Sequence, residues 1–522
     1  VPSPRRLALV AVGLVGLIGL GPARSAAGAE PELVIDAHPE PAGPVISREI
    51  YGQFVEHVGR GVYDGVFVGR DAGIPHLRGI RRDVVEALRR IRVPVVRWPG
   101  GCFADQYHWR DGVGPRDERP SALNSAWGQV TESNRFGTHE FLDLCEQVGA
   151  EAYLAANVGS GSVRELQEWV EYLTHDGDGR MALLRRANGR EAPWRVRFFG
   201  IGNEPWGCGG HMRPEHYADV FRRFQTFVHG LSGNEVEKIA AGASAEDYNW
   251  TEVLMREAFP LMSGLSLHYY VVPGDWQHKG SATEFDEAEW FDVMRKAARA
   301  DQVIGLHASI MDRHDPERRV ALVVDEWGTW YDVEPGTPPS FLYQQNTLRD
   351  ALVAGVLLNT FNRQAARVRM ANLAQMVNVL QALLLTDDRM LVLTPTYHVF
   401  DMYQVHQDAE LLPVDLRGPD YWFGDERIPA LDASASRDGA GRIHVSLCNM
   451  DPRRPVRLRG VVQGSRVRRV HGRVLTAASM AEHNTFAEPH RLEAAALESV
   501  ETMEDDFVVT LPAKSVVVLE LE

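Results

Sequence analysis

Between Tyr51 and Leu385, short runs rich in β-branched and apolar residues alternate with longer stretches whose apolar positions recur every three or four residues. Ile50–His57, Val93–Trp98, Glu151–Val158, Val196–Gly202, Val236–Ser244, Leu265–Val271, Val320–Trp327 and Arg367–Met370 read as strands. Several are apolar at consecutive positions, as parallel strands covered on both faces require. Between them Ile80, Val84, Leu88 and Ile91 share one helical face. Phe141, Leu144, Cys145 and Val148 share another, bracketed by Thr138 and Gly149 as cap signals, and Tyr217–Leu231 forms a third behind Pro214. Eight strands spread over roughly 330 residues predict an α/β fold, a (β/α)8 TIM barrel with loop insertions. A doubly wound open sheet alternates in the same way, but no Gly-rich phosphate fingerprint follows the first strand.

Past about Met390 the helical period fades. Arg442–Asn449, Pro455–Val462 and Phe507–Leu521 are β-rich with turn residues between them, which predicts a C-terminal antiparallel β-sandwich. Leu33–Ala37 is short and β-prone and is expected to add a strand to it. The expected division is a leader over 1–29, an N-terminal strand segment over 30–49, the barrel over 50–388 and the sandwich over 389–522.

The leader is predicted from its layout. Residues 1–29 hold no acidic residue; Arg5 and Arg6 precede the apolar run Leu7–Leu20, and small residues end the segment. This is the pattern of a cleavable signal peptide, with an uncleaved anchor as the alternative, and it predicts a secreted or periplasmic protein. The arginine pair leaves both the general and the twin-arginine routes open. Without the leader the chain has 493 residues, 52 basic against 71 acidic, for a net charge of −19. That excess argues against nucleic acid and anionic membranes as partners, since both demand clustered Lys and Arg. Cys102, Cys145, Cys208 and Cys448 show neither C-x-x-C nor zinc-ligand spacing, so no metal, cofactor or disulfide framework is expected.

Two predicted strand ends each deliver a carboxylate: Glu204 in Gly202-Asn203-Glu204-Pro205, and Glu326 in Asp325-Glu326-Trp327. Paired carboxylates at the C-terminal ends of barrel strands suit glycoside hydrolysis, in which one donates a proton and the other attacks or activates water. A helix N-cap carboxylate is the bland alternative for Glu204. Asn203 is placed to hydrogen-bond a sugar hydroxyl. Arg97, before Trp98-Pro99-Gly100-Gly101-Cys102, can orient a carboxylate through its planar fork, and the glycines permit close backbone approach. His57 and His268 also end strands; lone histidines there read first as structural groups, and no recognised spacing makes them a metal site.

Further segments carry a resemblance. FVEHVGRGVYDGVFVG (54–69), VVRWPGGCFADQYHWRDGVGPRDERP (95–120), GIGNEPWGCGG (200–210), SLHYY (266–270), VVDEWGTWYD (323–332), ANLAQMVNVLQALLLTD (371–387) and PTYHVFDMYQVHQD (395–408) resemble, in order and spacing, the α-L-arabinofuranosidases of glycoside hydrolase family 51. The resemblance implies a barrel plus sandwich and retaining hydrolysis of terminal, non-reducing α-L-arabinofuranosyl groups in arabinan, arabinoxylan or their oligosaccharides. It implies Glu204 as acid/base and Glu326 as nucleophile. Asn203 matches the residue that binds the 2-hydroxyl, and Arg97 the arginine beside the nucleophile. Glu56, Cys102, Tyr270 and Gln375 match pocket-lining positions, and Trp330 and Trp127 match aromatics near the sugar or aglycone. Gln375 is selected by the resemblance alone. Cys102 stands where some members have Asn, while Pro205 and His211 replace residues that vary among them. The resemblance also implies a homo-oligomer, commonly a hexamer. Another glycosidase on the same barrel, an endo-glucanase or xylosidase, and a non-catalytic sugar-binding protein are the rival readings.

Overall fold

A computed structural model describes residues 30–503 and 506–522. The predicted leader lies outside the described residues. Among them, no helix is long and apolar enough to cross a membrane.

Eight parallel strands close a barrel in chain order: Gly52–Phe54, Val95–Trp98, Glu151–Ala156, Phe198–Ile201, Glu237–Ser244, Gly264–Val271, Ala321–Thr329 and Val368–Ala374. They are called here the first to eighth barrel strands. The eighth hydrogen-bonds the first and so completes the ring. Helices follow every strand, from Arg82–Arg90 after the first to Pro395–Tyr403 after the eighth, with two, Val163–Thr174 and Arg180–Ala187, after the third. Along each strand alternate side chains point in and out. Val95, Tyr153, Phe198, Ile239, Ala321, Val323 and Met370 fill the lower interior, while Val96, Trp98, Leu154 and Phe199 belong to the core shared with the helices. Two residues beyond the inward Val95 comes Arg97, and there, at the C-terminal mouth, the interior turns polar.

Local chemistry sets the element ends. Gly149 ends helix Thr138–Val148 in the left-handed region at φ 85°, as its cap signal predicts. The first strand is shorter than expected at both ends: Arg48–Tyr51 forms a 3-10 turn before it, and the chain leaves the strand after Phe54. The eighth runs four residues past Met370, because Ala371-Asn372-Leu373-Ala374 finds ladder partners on both sides.

The second layer structure is a β-sandwich. Its five-stranded sheet runs Val414–Arg417, Glu32–Asp36, Val456–Gln463, Asp506–Leu511, Val500–Thr502; its six-stranded sheet runs Glu410–Leu412, Leu431–Arg437, Ile443–Asn449, Ser515–Leu521, Val470–Leu475, Ala495–Ala496. Leu33, Ile35, Leu458, Phe507 and Val509 meet Ala433, Val445, Leu447, Val517 and Leu519 in the core between them. The strand Glu32–Asp36 pairs antiparallel with Val414–Arg417 and parallel with Val456–Gln463. The other face of the six-stranded sheet lies on helix Leu348–Arg363, which follows the seventh barrel strand and is buried from Leu348 to Asn362.

Candidate active site

At the mouth of the barrel, the ends of strands two, four, six and seven converge on one cluster of charges. Arg97, 1 % exposed, donates from Nη1 to Glu326 Oε1 at 2.7 Å and from Nη2 to Asn203 Oδ1 at 2.6 Å. Because a guanidinium only donates, Asn203 must present Oδ1 to it, which leaves the amide Nδ2 on the side of Cys208, 4.0 Å from its sulfur. The second oxygen of Glu326 accepts from the Tyr270 hydroxyl at 2.9 Å. Glu204 Oε1 accepts from His268 Nδ1 at 2.7 Å. One oxygen of Glu204, one of Glu326 and a ring nitrogen of His268 all lie within 4.8 Å of one another.

A second group closes the pocket from the side. Glu56, at the end of the first strand, accepts from the Phe103 N–H at 3.0 Å and from the Trp127 indole N–H at 2.8 Å through Oε1. Gln375 locks on to it twice: its Oε1 accepts the Glu56 N–H at 3.1 Å, and its Nε2 donates to Glu56 Oε2 at 3.2 Å. Trp330 meets the Tyr270 ring edge-on at 5.2 Å. At both positions of the Gly100-Gly101 pair a side chain would displace a carboxylate of the site. A Cβ on Gly100 would lie 2.6 Å from Glu56 Cγ, and one on Gly101 2.8 Å from Glu326 Oε1. The structure thus brings Glu56, Arg97, Cys102, Asn203, Glu204, Tyr270, Glu326, Trp330, Gln375 and Trp127 to one end of the barrel.

Charge in this confined space sets protonation. Burial pushes the Glu204 carboxyl above the ordinary range; His268 pulls it down and Glu326 pushes it up. Burial would lower His268, but Glu326, Asp325 and Glu204 together raise it to about 10, so it is an imidazolium at neutral pH. Burial, then the Glu326 charge, lifts Glu56 to about 7. Asp325 is opposed by burial yet held below its usual range by Arg97 and His268. The backbone of Glu204 sits at φ 40°, a conformation costing of order 1–3 kcal/mol in a non-glycine residue, and its neighbours must hold it there. Glu204, His268 and Glu326 have the donor types of a cation site, but the Arg97 guanidinium and the His268 imidazolium already supply the positive charge there.

Three features escape sequence reasoning. His268 is no isolated structural group: its Nε2 lies 3.2 Å from Asp325 Oδ1 and its Nδ1 3.5 Å from Glu326 Oε2. Asp105 is a buried hub, taking the N–H groups of Val158 and Gly159 at 2.8 Å and that of Asn203 at 3.1 Å. A strand-end H-Y pair signals the first; nothing local signals the second. The expectation of no disulfide is corrected: Cys102 and Cys208, 106 residues apart, are bonded. Their pairing depends on two loops meeting above the barrel, which spacing does not encode. Cys145 and Cys448 are free and buried.

A separate cavity of about 1030 Å³ is lined by Arg78, Arg116, Arg190 and their carboxylate partners Asp143, Glu140 and Glu146. With those charges already matched, it offers no comparable chemistry.

Residues 87–290 match the model of the alpha-L-arabinofuranosidase 1 domain, and 325–515 that of the alpha-L-arabinofuranosidase C-terminal domain. The chain is 48 % identical to an intracellular exo-alpha-L-arabinofuranosidase from Bacteroides ovatus, over 95 % of this chain and 96 % of that protein. It is 50 % identical to the crystal structure of the GH51 arabinofuranosidase from Xanthomonas axonopodis pv. citri, with a TM-score of 0.93 over 94 % of this chain and all of that one. An alpha-L-arabinofuranosidase from Thermotoga maritima, solved as an arabinose complex, is 30 % identical with a TM-score of 0.80, over 94 % of this chain and 99 % of that one. The Bacteroides relative, named as intracellular, contradicts the secreted or periplasmic assignment, which is withdrawn.

Proposed function

The chain belongs to glycoside hydrolase family 51 and is an α-L-arabinofuranosidase, a retaining hydrolase of arabinofuranosyl residues, and on that premise we propose that Glu326 is its nucleophile and Glu204 its acid/base. The observation that carries this reading is that the two strand-end carboxylates face each other with one oxygen of each within 4.8 Å, a close approach that suits the carboxyl spacing of about 5–5.5 Å used for retention. Glu326, oriented by Arg97 and Tyr270, attacks the anomeric carbon while Glu204 protonates the departing oxygen. Once the glycosyl-enzyme forms, the Glu326 charge is consumed. One contribution that raises Glu204 then disappears, and it can ionise and take a proton from water. Asn203 Nδ2, in a long 4.0 Å contact with the Cys208 sulfur, is placed to hold the 2-hydroxyl, while Glu56, Gln375 and Cys102 line the pocket. Trp330 and Trp127 flank the sugar or the leaving group.

We infer further that the substrate groups are terminal, non-reducing arabinofuranosyl residues of arabinan, arabinoxylan and their oligosaccharides. The exo action named for the Bacteroides relative supports this, and release of arabinose from each polymer tests it. The homo-oligomer belongs to the same reading, and light scattering of the 58.2 kDa chain measures it. For the roles themselves, Glu204→Ala is expected to lose about 10²–10⁴-fold on poor leaving groups, with partial rescue by azide on activated aryl arabinosides. Glu326→Ala is expected to lose turnover on every substrate. Normal cleavage of unactivated arabinosides by Glu204→Ala would refute its assignment.

A further inference from the structure

The loop that carries Glu204 is rich in glycine, and after Glu204 it is held to the barrel by the Trp206 indole, which donates to the Gly242 carbonyl at 3.0 Å, and by a disulfide. Gly207, Gly209 and Gly210 lie within six residues of Glu204, and Gly210 and His211 both have positive φ. The Gly207 and Gly209 N–H groups donate to the Glu204 carbonyl at 2.8 and 3.0 Å, so the loop folds back on the residue itself. Between those glycines stands Cys208, exposed, with Sγ 3.6 Å from Glu204 Oε2 and 4.0 Å from Asn203 Nδ2. Its disulfide partner opens the 3-10 turn Cys102–Gln106, which is firmly built: Phe103 donates to Glu56, and buried Asp105 gathers three N–H groups from the two neighbouring loops. The bridge therefore ties a glycine-rich loop to a turn built on buried hydrogen bonds, directly beside a carboxyl whose backbone is held at φ 40°.

We propose that the Cys102–Cys208 disulfide is a reducible tether that positions Glu204 for proton transfer, so that the oxidised and reduced enzymes differ in general acid catalysis. This role rests on Glu204 being the acid/base. The co-reactant is a dithiol. Its thiolate attacks Cys208 Sγ, the accessible sulfur; the Cys102–Cys208 bond breaks, and Cys102 leaves as a thiolate that takes up a proton. The second thiol of the reagent then attacks its own sulfur in the mixed disulfide, releasing Cys208 as a thiol and the reagent as a cyclic disulfide. Two electrons and two protons enter the protein. Glu204, His268 and Glu326 keep their identities, but the covalent link from the loop to the turn is then gone, leaving the Asn203 N–H to Asp105 before Glu204 and the Trp206 indole to the Gly242 carbonyl after it.

The test uses the full-length enzyme before and after dithiothreitol, with alkylation and mass spectrometry counting the two new thiols. kcat and KM are measured with a 2,4-dinitrophenyl arabinofuranoside and with an alkyl arabinofuranoside, whose leaving group needs protonation. Reduction is expected to lower kcat on the alkyl substrate by about tenfold to hundredfold, the scale of a misplaced catalytic group, and on the dinitrophenyl substrate by less than about twofold. Cys208→Ser should reproduce the pattern and ignore dithiothreitol, and reoxidation of the reduced wild type should restore activity. Equal losses on both substrates, no loss at all, or a Cys208→Ser enzyme that still responds to reductant would overturn the tether. Glu204→Ala, run beside them, separates the two readings. If it shows the leaving-group dependence and reduction does not, only the tether fails; if Glu204→Ala itself lacks that dependence, the acid/base assignment fails first.

Discussion

His268 governs how readily Glu204 changes charge. With Glu204 against Nδ1 and Asp325 against Nε2, the ring is protonated and adds a positive charge within hydrogen-bond reach of the acid. A cation there stabilises the ionised carboxylate, so His268→Gln should raise the Glu204 pKa and move the basic limb of the kcat/KM profile to higher pH by about one unit. A limb that stays in place or moves down would show that the imidazolium does not act on Glu204. Gly101→Ala makes a second residue-level case. Its Cβ would press to 2.8 Å on Glu326 Oε1, so kcat should fall by about 10²-fold while thermal stability changes little. The sequence makes strand-end Glu204 and Glu326 legible, because a carboxylate after an apolar strand points to the barrel mouth. It marks Gly100-Gly101 as a close approach without showing what approaches. Gln375 carries no such mark: its role comes from a double hydrogen bond to Glu56, 319 residues away.

At the level of elements, the insertion after the second strand carries Trp127 into the site on the hairpin Ala122–Asn124 and Val130–Glu132. Asn124 anchors it, donating to the His57 carbonyl at 2.6 Å and accepting the Trp127 N–H at 2.9 Å. Trp98 Nε1 donates to His57 Nε2, so that nitrogen is bare and Nδ1 carries the proton given to Glu132 at 2.9 Å. Asn124→Ala should loosen Trp127 from Glu56 and raise KM for aryl arabinosides about tenfold, with a cost of roughly 1–3 kcal/mol in stability. Kinetics and thermal unfolding on one preparation check both. Nothing in Ala122–Glu132 reads as two strands, since their polar contacts to His57 replace an apolar pattern. The six-stranded sheet misleads in the opposite sense. Leu431–Arg437 and Ile443–Asn449 alternate apolar with Asp, Ser and His, as strands with one wet face do, yet Ser434, Ser436, His444 and Ser446 are all buried.

What buries that polar face links the whole molecule. Helix Leu348–Arg363 packs on the sheet through side chains that match it: Asn359 Oδ1 accepts from the Ser434 and Ser446 hydroxyls at 3.0 and 2.6 Å, and its Nδ2 donates to Asp432 at 2.8 Å. Arg363 Nη2 lies 3.0 Å from the same Asp432. On its other side the helix backs the seventh barrel strand, where the Thr329 hydroxyl donates to Asp350 at 2.5 Å, three residues beyond Glu326. The sandwich therefore supports the strand that presents Glu326. A chain cut after Asp408 keeps the eighth barrel helix but leaves helix Leu348–Arg363 with an exposed apolar and amide-bearing face, and it should fail to give a soluble, cooperatively folded barrel. In the intact chain Asn359→Ala leaves Ser434, Ser446 and Asp432 short of partners, which predicts a loss of about 2–3 kcal/mol. If barrel and sandwich are one cooperative unit, calorimetry of both enzymes shows a single transition, shifted down in the variant, with kcat of the folded enzyme unchanged. Two separated transitions, or a soluble and folded 30–408 fragment, would show instead that the helix merely touches the sheet and that the barrel holds Glu326 by itself.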